Sequence, residues 1–266
     1  MPGKRIISGV VLGFVILAAL AWAWFFNLAI TAFIALGLFE FFSMLEKRGL
    51  SSYKYFGIGI GTIIPLSIAF GFELTKKWEL FFIVLMLLFL IIMQFKRRQS
   101  SGVVVDISTT LFGILYVSWF LSFLIKIRYL SPEKGAGLLA TVLLVTKLGD
   151  IGAYAVGTRF GKTPLLPRVS PKKTVEGAAA GLCFSIAAAL ACRPFLNFPY
   201  LHLALLGLCL GILWQLGDLS ESLIKRDCGV KDSGKLLPGM GGFLDELDSL
   251  LFTAPVFYFY LSIMLR

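Results

Sequence analysis

Nine long apolar stretches divide this chain, at about 6–26, 28–45, 55–72, 78–94, 107–125, 136–156, 177–194, 199–217 and 248–265, and most charged residues fall between them. Each is close to the roughly 17–25 residues that carry a helix across the hydrocarbon of a bilayer. Hydrocarbon offers a backbone amide no partner, so a segment that spans it alone must bond to itself as a helix. The expected fold is therefore all-α: a polytopic integral membrane protein with about nine transmembrane helices. Composition agrees, with 58% apolar and only 15% charged residues, where soluble domains carry about 25% charged. The tightest junction lies at Asn27, between the first two stretches, and the sixth stretch carries Lys147 and Asp150. No internal repeat or soluble second domain stands out. The chain reads as one membrane domain over 1–266, with about five spans in 1–130 and about four, carrying the polar cluster, in 131–266.

The net charge of +10 has a membrane explanation, because lysine and arginine collect on the cytoplasmic side and meet anionic lipid. No nucleic-acid partner is expected. With the N-terminus inside, seventeen lysines and arginines fall in cytoplasmic stretches and seven (Lys76, Lys77, Lys126, Arg128, Lys134, Arg193 and Arg266) on the other side. That bias predicts a cytoplasmic N-terminus and a C-terminus on the opposite face. Lys4 and Arg5 precede a long apolar run without a small-residue cleavage site, which reads as a retained first span rather than a removed signal peptide. Cys183, Cys192, Cys209 and Cys228 lack metal-site spacing, and a disulfide framework or zinc site is not expected.

Two polar loops, about 157–176 and 218–247, fall on the cytoplasmic side of this map. In the second, Asp218, Glu221, Ser222 and Lys225 would form one stripe if helical. The plain alternative is a solvated helix end with a Glu221–Lys225 pair. Farther on, Gly239, Gly241 and Gly242 permit a tight backbone that can approach phosphate oxygens. Asp245 and Asp248 stand one helical turn apart, as ligands for a hard cation or as helix caps. In the sixth stretch, Lys147 and Asp150 are functional candidates by position, unless they simply neutralise each other. Ser170-Pro171-Lys172-Lys173-Thr174 supplies two ammonium groups and two hydroxyls, either for phosphate or as an ordinary positive-inside loop. Carboxylates, lysines and glycine turns are the inventory of phosphoryl or nucleotidyl transfer, in which metal screens anionic reactants. Acyl transfer fits less well, because the single histidine, His202, sits in an apolar stretch.

The run from Ser222 to Asp248 resembles the signature of the phosphatidate cytidylyltransferase (CDP-diacylglycerol synthase) family through Ser222, Lys225, Arg226, Lys231, Asp232, Gly234, Leu237, Pro238, Gly241, Gly242, Asp245 and Asp248. Asp150 to Tyr154, Gly157, Phe160-Gly161-Lys162 and Ser170 to Gly177 continue the likeness over about 100 residues. The resemblance implies transfer of CMP from CTP to phosphatidate, giving CDP-diacylglycerol and pyrophosphate. It implies Asp218 and Asp245 as ligands of Mg²⁺, with Asp150 and Asp248 as further metal candidates and K⁺ as a possible second cation. Ser222 and Lys225 join the two aspartates in the catalytic set. Lys172, Lys173, Arg226, Lys231, Asp232, Gly241 and Gly242 are implied to bind substrate. A homodimer in the cell (inner) membrane, with its active site facing the cytoplasm, is also implied. Met240 and Glu246 stand where that family commonly has histidine and arginine, yet with Asp218 and Asp245 kept an active enzyme is expected. Rival readings are a CTP-dependent lipid-alcohol kinase, a CDP-archaeol-type synthase and a transporter.

Overall fold

Apart from one two-stranded hairpin, the regular elements among the described residues are helices. The computed structural model describes residues 2–72, 78–95 and 101–264. The charges at Lys76, Lys77, Lys96, Arg97, Arg98 and Arg266, used above for sidedness, lie outside the described residues. In order come α1 (Pro2–Ala21), α2 (Ala23–Lys47), α3 (Lys54–Ala69), α4 (Trp78–Phe95) and α5 (Val103–Gly113). A π-helical turn (Ile114–Trp119) joins α5 to α6 (Phe120–Tyr129). Then follow α7 (Gly135–Phe160), β1 (Pro164–Leu166), β2 (Ser170–Thr174), α8 (Val175–Ala191), the single turn α9 (Arg193–Leu196), α10 (Tyr200–Asp227) and α11 (Phe243–Met264).

Among the described residues, five helical stretches are long and apolar enough to cross a membrane: Ala23–Lys47, Val103–Tyr129, Gly135–Phe160, Tyr200–Asp227 and Phe243–Met264. Shorter apolar helices run over Ile7–Ala21, Lys54–Ala69, Phe81–Phe95 and Val175–Ala191. Each apolar stretch of the sequence thus coincides with a helix. The first junction differs from expectation. The break falls at Trp22, which is extended at φ −120° and ψ 113°, and Asn27 lies inside α2.

The helices fall into two compact units. The first holds residues 1–125 and 227–244. Its centre is a row on α2, Ile34, Leu38, Phe41 and Phe42, each almost fully buried. Glycines on the facing segments admit these side chains: a Cβ at Gly57 or Gly113 would collide with the rings of Phe42 or Phe41, and one at Gly61 with Leu38. Small residues that let helices approach this closely characterise packing in lipid, where no hydrophobic drive separates helix from solvent. Asp106 on α5 is buried and accepts a hydrogen bond from the Ser51 hydroxyl, and Tyr53 N–H donates to Thr110 Oγ1 at 2.9 Å. These bonds tie the α2–α3 connection to α5.

The second unit holds residues 126–226 and 245–266. Here α7 and α8 lie side by side, with a Cβ at Gly177 set to strike the Ala153 carbonyl and the Gly157 backbone. On α10, Trp214 Nε1 donates to Ser185 Oγ on α8 at 3.0 Å, and that hydroxyl donates to the Val145 carbonyl of α7 at 3.1 Å. Gly217 of α10 meets the Asp248 backbone of α11 so closely that a side chain would drive into the carbonyl. Three helices and the head of a fourth are therefore in register around the polar end of α10.

Candidate active site

The polar end of α10 is helical. Both loops read from the sequence are shorter than expected. Residues 218–227 prolong α10, 243–247 open α11, and 164–174 fold into an antiparallel hairpin pairing Pro164 with Thr174 and Leu166 with Ser170. A helix does not stop where its residues turn polar, because each further turn still satisfies its own amides. The i, i+3, i+4, i+7 stripe of Asp218, Glu221, Ser222 and Lys225 therefore exists. It is not a solvated helix end, since Glu221 is fully buried and Ser222 and Lys225 are each 8% exposed.

Lys225 Nζ lies 2.5 Å from Glu221 Oε2 within α10 and 2.5 Å from Asp245 Oδ1 at the head of α11. Lys173, from β2, pairs with Asp218 at 2.5 Å. Lys147 of α7 donates to the Glu246 carbonyl at 2.7 Å and stands 3.6 Å from its carboxylate. Lys147 thus bonds Glu246 and also lies within electrostatic reach of Asp150, the neutralising alternative that the sequence offered. Asp150, Glu221 and Asp248 all lie within electrostatic reach of Asp218. Asp248 is buried.

A cavity of about 300 Å³ opens at the Lys173–Asp218 pair, lined by Asp150, Tyr154, Lys172, Lys173, Gln215 and Asp218 among others. That volume is at the lower end of the range for small-molecule sites, about 300–1,000 Å³. One wall comes from the hairpin, which is anchored at both ends. Thr174 Oγ1 caps α8 by accepting from Gly177 N–H at 3.2 Å. Glu176, ahead of the apolar run of α8, accepts from the backbone N–H groups of Lys162 and Thr163. Its own backbone N–H, then that of Lys162 and the donors of Thr163, hold its carboxyl down to about 2. Arg226 Nε donates to the Val169 carbonyl at 3.2 Å, securing the hairpin turn.

A sequence profile of the cytidylyltransferase family matches residues 3–264, nearly the whole chain. The chain belongs to that family. A phosphatidate cytidylyltransferase of Synechocystis is 36% identical over 295 residues, covering 100% of this chain and 98% of that one. One from Bacillus subtilis is 42% identical over 151 residues, 56% of each chain. A chloroplastic phosphatidate cytidylyltransferase of Arabidopsis thaliana is 29% identical over 299 residues, 99% of this chain and 74% of that one.

Carboxylates outnumber ammonium groups near the polar end of α10, and two of them, Asp150 and Asp218, line the cavity. Asp150, Asp218, Glu221, Asp245, Glu246 and Asp248 stand against four ammonium groups, from Lys147, Lys172, Lys173 and Lys225, so acid is in excess. Among the described residues, no three acidic, histidine or cysteine side chains converge as a ready-made cage. Asp218 and Asp245 instead each face a lysine. Mg²⁺ keeps several waters and takes one or two carboxylates together with substrate phosphates, so such a site does not need a three-ligand cage.

Lys231, Asp232, Gly241 and Gly242 belong to the first unit. Lys231 and Asp232 are exposed, and Gly242 is buried. Pro238 to Gly241 form a tight turn closed by Leu237 N–H to the Gly241 carbonyl at 2.9 Å, with Gly239 and Gly241 at φ +84° and +114°. Sequence reasoning missed Glu40, a buried carboxyl on α2 that accepts from the Ser233 hydroxyl at 3.1 Å and from Leu244 N–H at 3.0 Å. The signal was available: an acid inside an apolar stretch of spanning length is a functional candidate by default.

Proposed function

We infer that the chain transfers CMP from CTP to phosphatidate, giving CDP-diacylglycerol and pyrophosphate. The observation that carries this is the conjunction of end-to-end similarity to a phosphatidate cytidylyltransferase with a lysine- and carboxylate-lined cavity at the end of apolar helices. A phosphatidate oxygen attacks the α-phosphorus of CTP. The new P–O bond forms as the bond to the β-phosphate bridging oxygen breaks, and pyrophosphate leaves with that electron pair. The nucleophile is already anionic near neutral pH, so no side-chain base is required. The difficulty is bringing two anions together.

Lys172 and Lys173 present ammonium groups to phosphate in the cavity, and an arriving phosphate gives Lys173 an acceptor beyond Asp218. Lys225 holds Glu221 and Asp245 in place, and Ser222 orients a phosphate oxygen. Gly241 and Gly242, with Lys231, Asp232 and Arg226, are assigned to the phosphates of CTP. Asp218 and Asp245 would hold Mg²⁺, with Asp150 and Asp248 as additional ligands and K⁺ as a second cation. When bound, the ion would screen the reacting anions and stabilise charge on the leaving pyrophosphate. The charge bias and the succession of apolar helices support nine spans, a cytoplasmic N-terminus and active site and a C-terminus on the opposite face, while residence in the inner membrane as a homodimer rests on the family resemblance alone.

The test is a purified-protein assay with α-labelled CTP, phosphatidate and Mg²⁺. Label should enter CDP-diacylglycerol with one pyrophosphate released per turnover. Asp218→Asn and Asp245→Asn should each lower turnover at least about a hundredfold, the scale of losing an electrostatic transition-state contact, while membrane insertion is retained. Wild-type turnover in either variant removes that aspartate from the site. In a parallel assay with γ-labelled CTP, transfer of label to lipid would replace the reading with a kinase.

A further inference from the structure

A carboxyl group inside an apolar helix is costly, and an aliphatic side chain would fill the same space without that cost. Glu40 of α2 is 3% exposed, and what it touches is the loop that joins α10 to α11. Its Oε2 accepts from the Ser233 hydroxyl at the start of the 233–244 segment and from Leu244 N–H at its end. Leu244 is the second residue of α11, and its N–H is among the four that a helix cannot satisfy internally. Glu40 thus acts as a helix cap delivered from a residue 204 positions away. The loop is shaped to receive it. A Cβ on Gly234 would strike the Glu40 carboxyl and nothing nearer, and one on Gly242 would strike Glu40 and the Ser233 hydroxyl. From α1, the Ser8 hydroxyl donates to the Pro238 carbonyl at 3.0 Å, holding the crown of the same loop.

We propose that Glu40 is a positioning residue for the transfer reaction: its carboxyl clamps both feet of the glycine loop and so fixes Gly241, Gly242 and the first turn of α11. Asp245 is the next residue after the clamped Leu244. The proposal rests on the assignment of that loop to the phosphates of CTP. Glu40 touches neither substrate. It sets the backbone that does.

Four variants of the full-length protein in lipid–detergent micelles test the clamp. Glu40→Ala should raise the KM for CTP about tenfold with a smaller change in the KM for phosphatidate, the mark of lost binding geometry. Glu40→Gln keeps the volume and one accepting oxygen and should stay within about twofold of wild type. Gly234→Ala places a methyl against the Glu40 carboxyl and should also raise the KM for CTP. In the double variant Glu40→Ala/Gly234→Ala the methyl has room, so it should be no worse than Glu40→Ala alone, a non-additivity that a general structural role would not produce. Tryptic cleavage after Lys231 and Lys235 reads the loop without any catalysis, and should quicken in Glu40→Ala and Gly234→Ala at unchanged wild-type conditions. Wild-type KM and cleavage rates in Gly234→Ala, or strictly additive effects in the double variant, overturn the clamp. A wild-type protein that makes no CDP-diacylglycerol overturns the functional reading instead, and cleavage then still decides the clamp.

Discussion

Lys225 is the residue on which the buried charges of the second unit depend. It holds Glu221 and Asp245 at 2.5 Å each, with its own side chain 10% exposed and Glu221 fully enclosed. Removing one partner of a buried ion pair leaves a charge without solvent or counter-ion, at a cost of about 3–5 kcal/mol. Lys225→Met should therefore lower the melting temperature and abolish CDP-diacylglycerol formation together. Stability and catalysis can be separated by adding Glu221→Gln, which removes one of the two stranded carboxyls. Lys225→Met/Glu221→Gln should regain much of the melting temperature while turnover stays lost, because Asp245 still lacks its counter-charge. Recovery of turnover in the double variant would show that Lys225 serves only the fold. Circular dichroism melting in detergent and the labelled-CTP assay supply the two readouts.

At the scale of elements, the site is made where α7, α10 and α11 bring short-range sequence patterns into long-range pairs. Glu246 illustrates the consequence. It stands where resemblance to the family leads one to expect arginine, and the structure puts it 3.6 Å from Lys147, with the lysine also donating to its backbone carbonyl. Glu246→Arg would set two cations against each other in a partly buried place, between the surface limit of about 0–1 kcal/mol and the buried one of 3–5. A loss of about 1–3 kcal/mol is expected from those limits. Lys147→Glu added to Glu246→Arg should restore most of it, and equal melting of Glu246→Arg and wild type would deny the pairing. The stripe on α10 was legible because helical spacing is a local property, and so was the presence of Asp218, Lys173, Asp245 and Lys225 as charged residues near it. Which lysine meets which carboxylate was not, since Lys173–Asp218 and Lys147–Glu246 span 45 and 99 positions of chain. Glu40 escaped for a different reason: inside Leu38-Phe39-Glu40-Phe41-Phe42 it is averaged away by the apolar residues that define the span. The ends of α10 and the hairpin escaped because hydropathy marks where lipid ends, not where a helix does.

For the whole chain, hydropathy and charge make one statement that can be tested directly. If each apolar helix crosses the bilayer, each connection lies on the face opposite to its neighbours, and a change in the number of crossings inverts everything downstream. Lysine and arginine are retained on the cytoplasmic face, and the segments around Lys47 and Lys172 are predicted to lie there. Glu133, in the exposed turn before α7, is predicted to face the other side. The four native cysteines are free and are replaced by serine or alanine for the measurement. Lys47→Cys should then resist a membrane-impermeant maleimide in intact cells and react in inverted vesicles, while Glu133→Cys should do the reverse. The α5 to α6 stretch, Val103–Tyr129, separates these two sites together with α3 and α4, so three crossings, an odd number, are required. Labelling of both from one side would remove one crossing from that set, and the weakest member is α3, a helix of 16 residues containing Pro65. A helix of that length rises about 24 Å at 1.5 Å per residue, short of a hydrocarbon core of about 30 Å. It crosses only where the bilayer thins or flanking residues complete the span. Its two ends are therefore where the nine-span topology is most exposed to refutation.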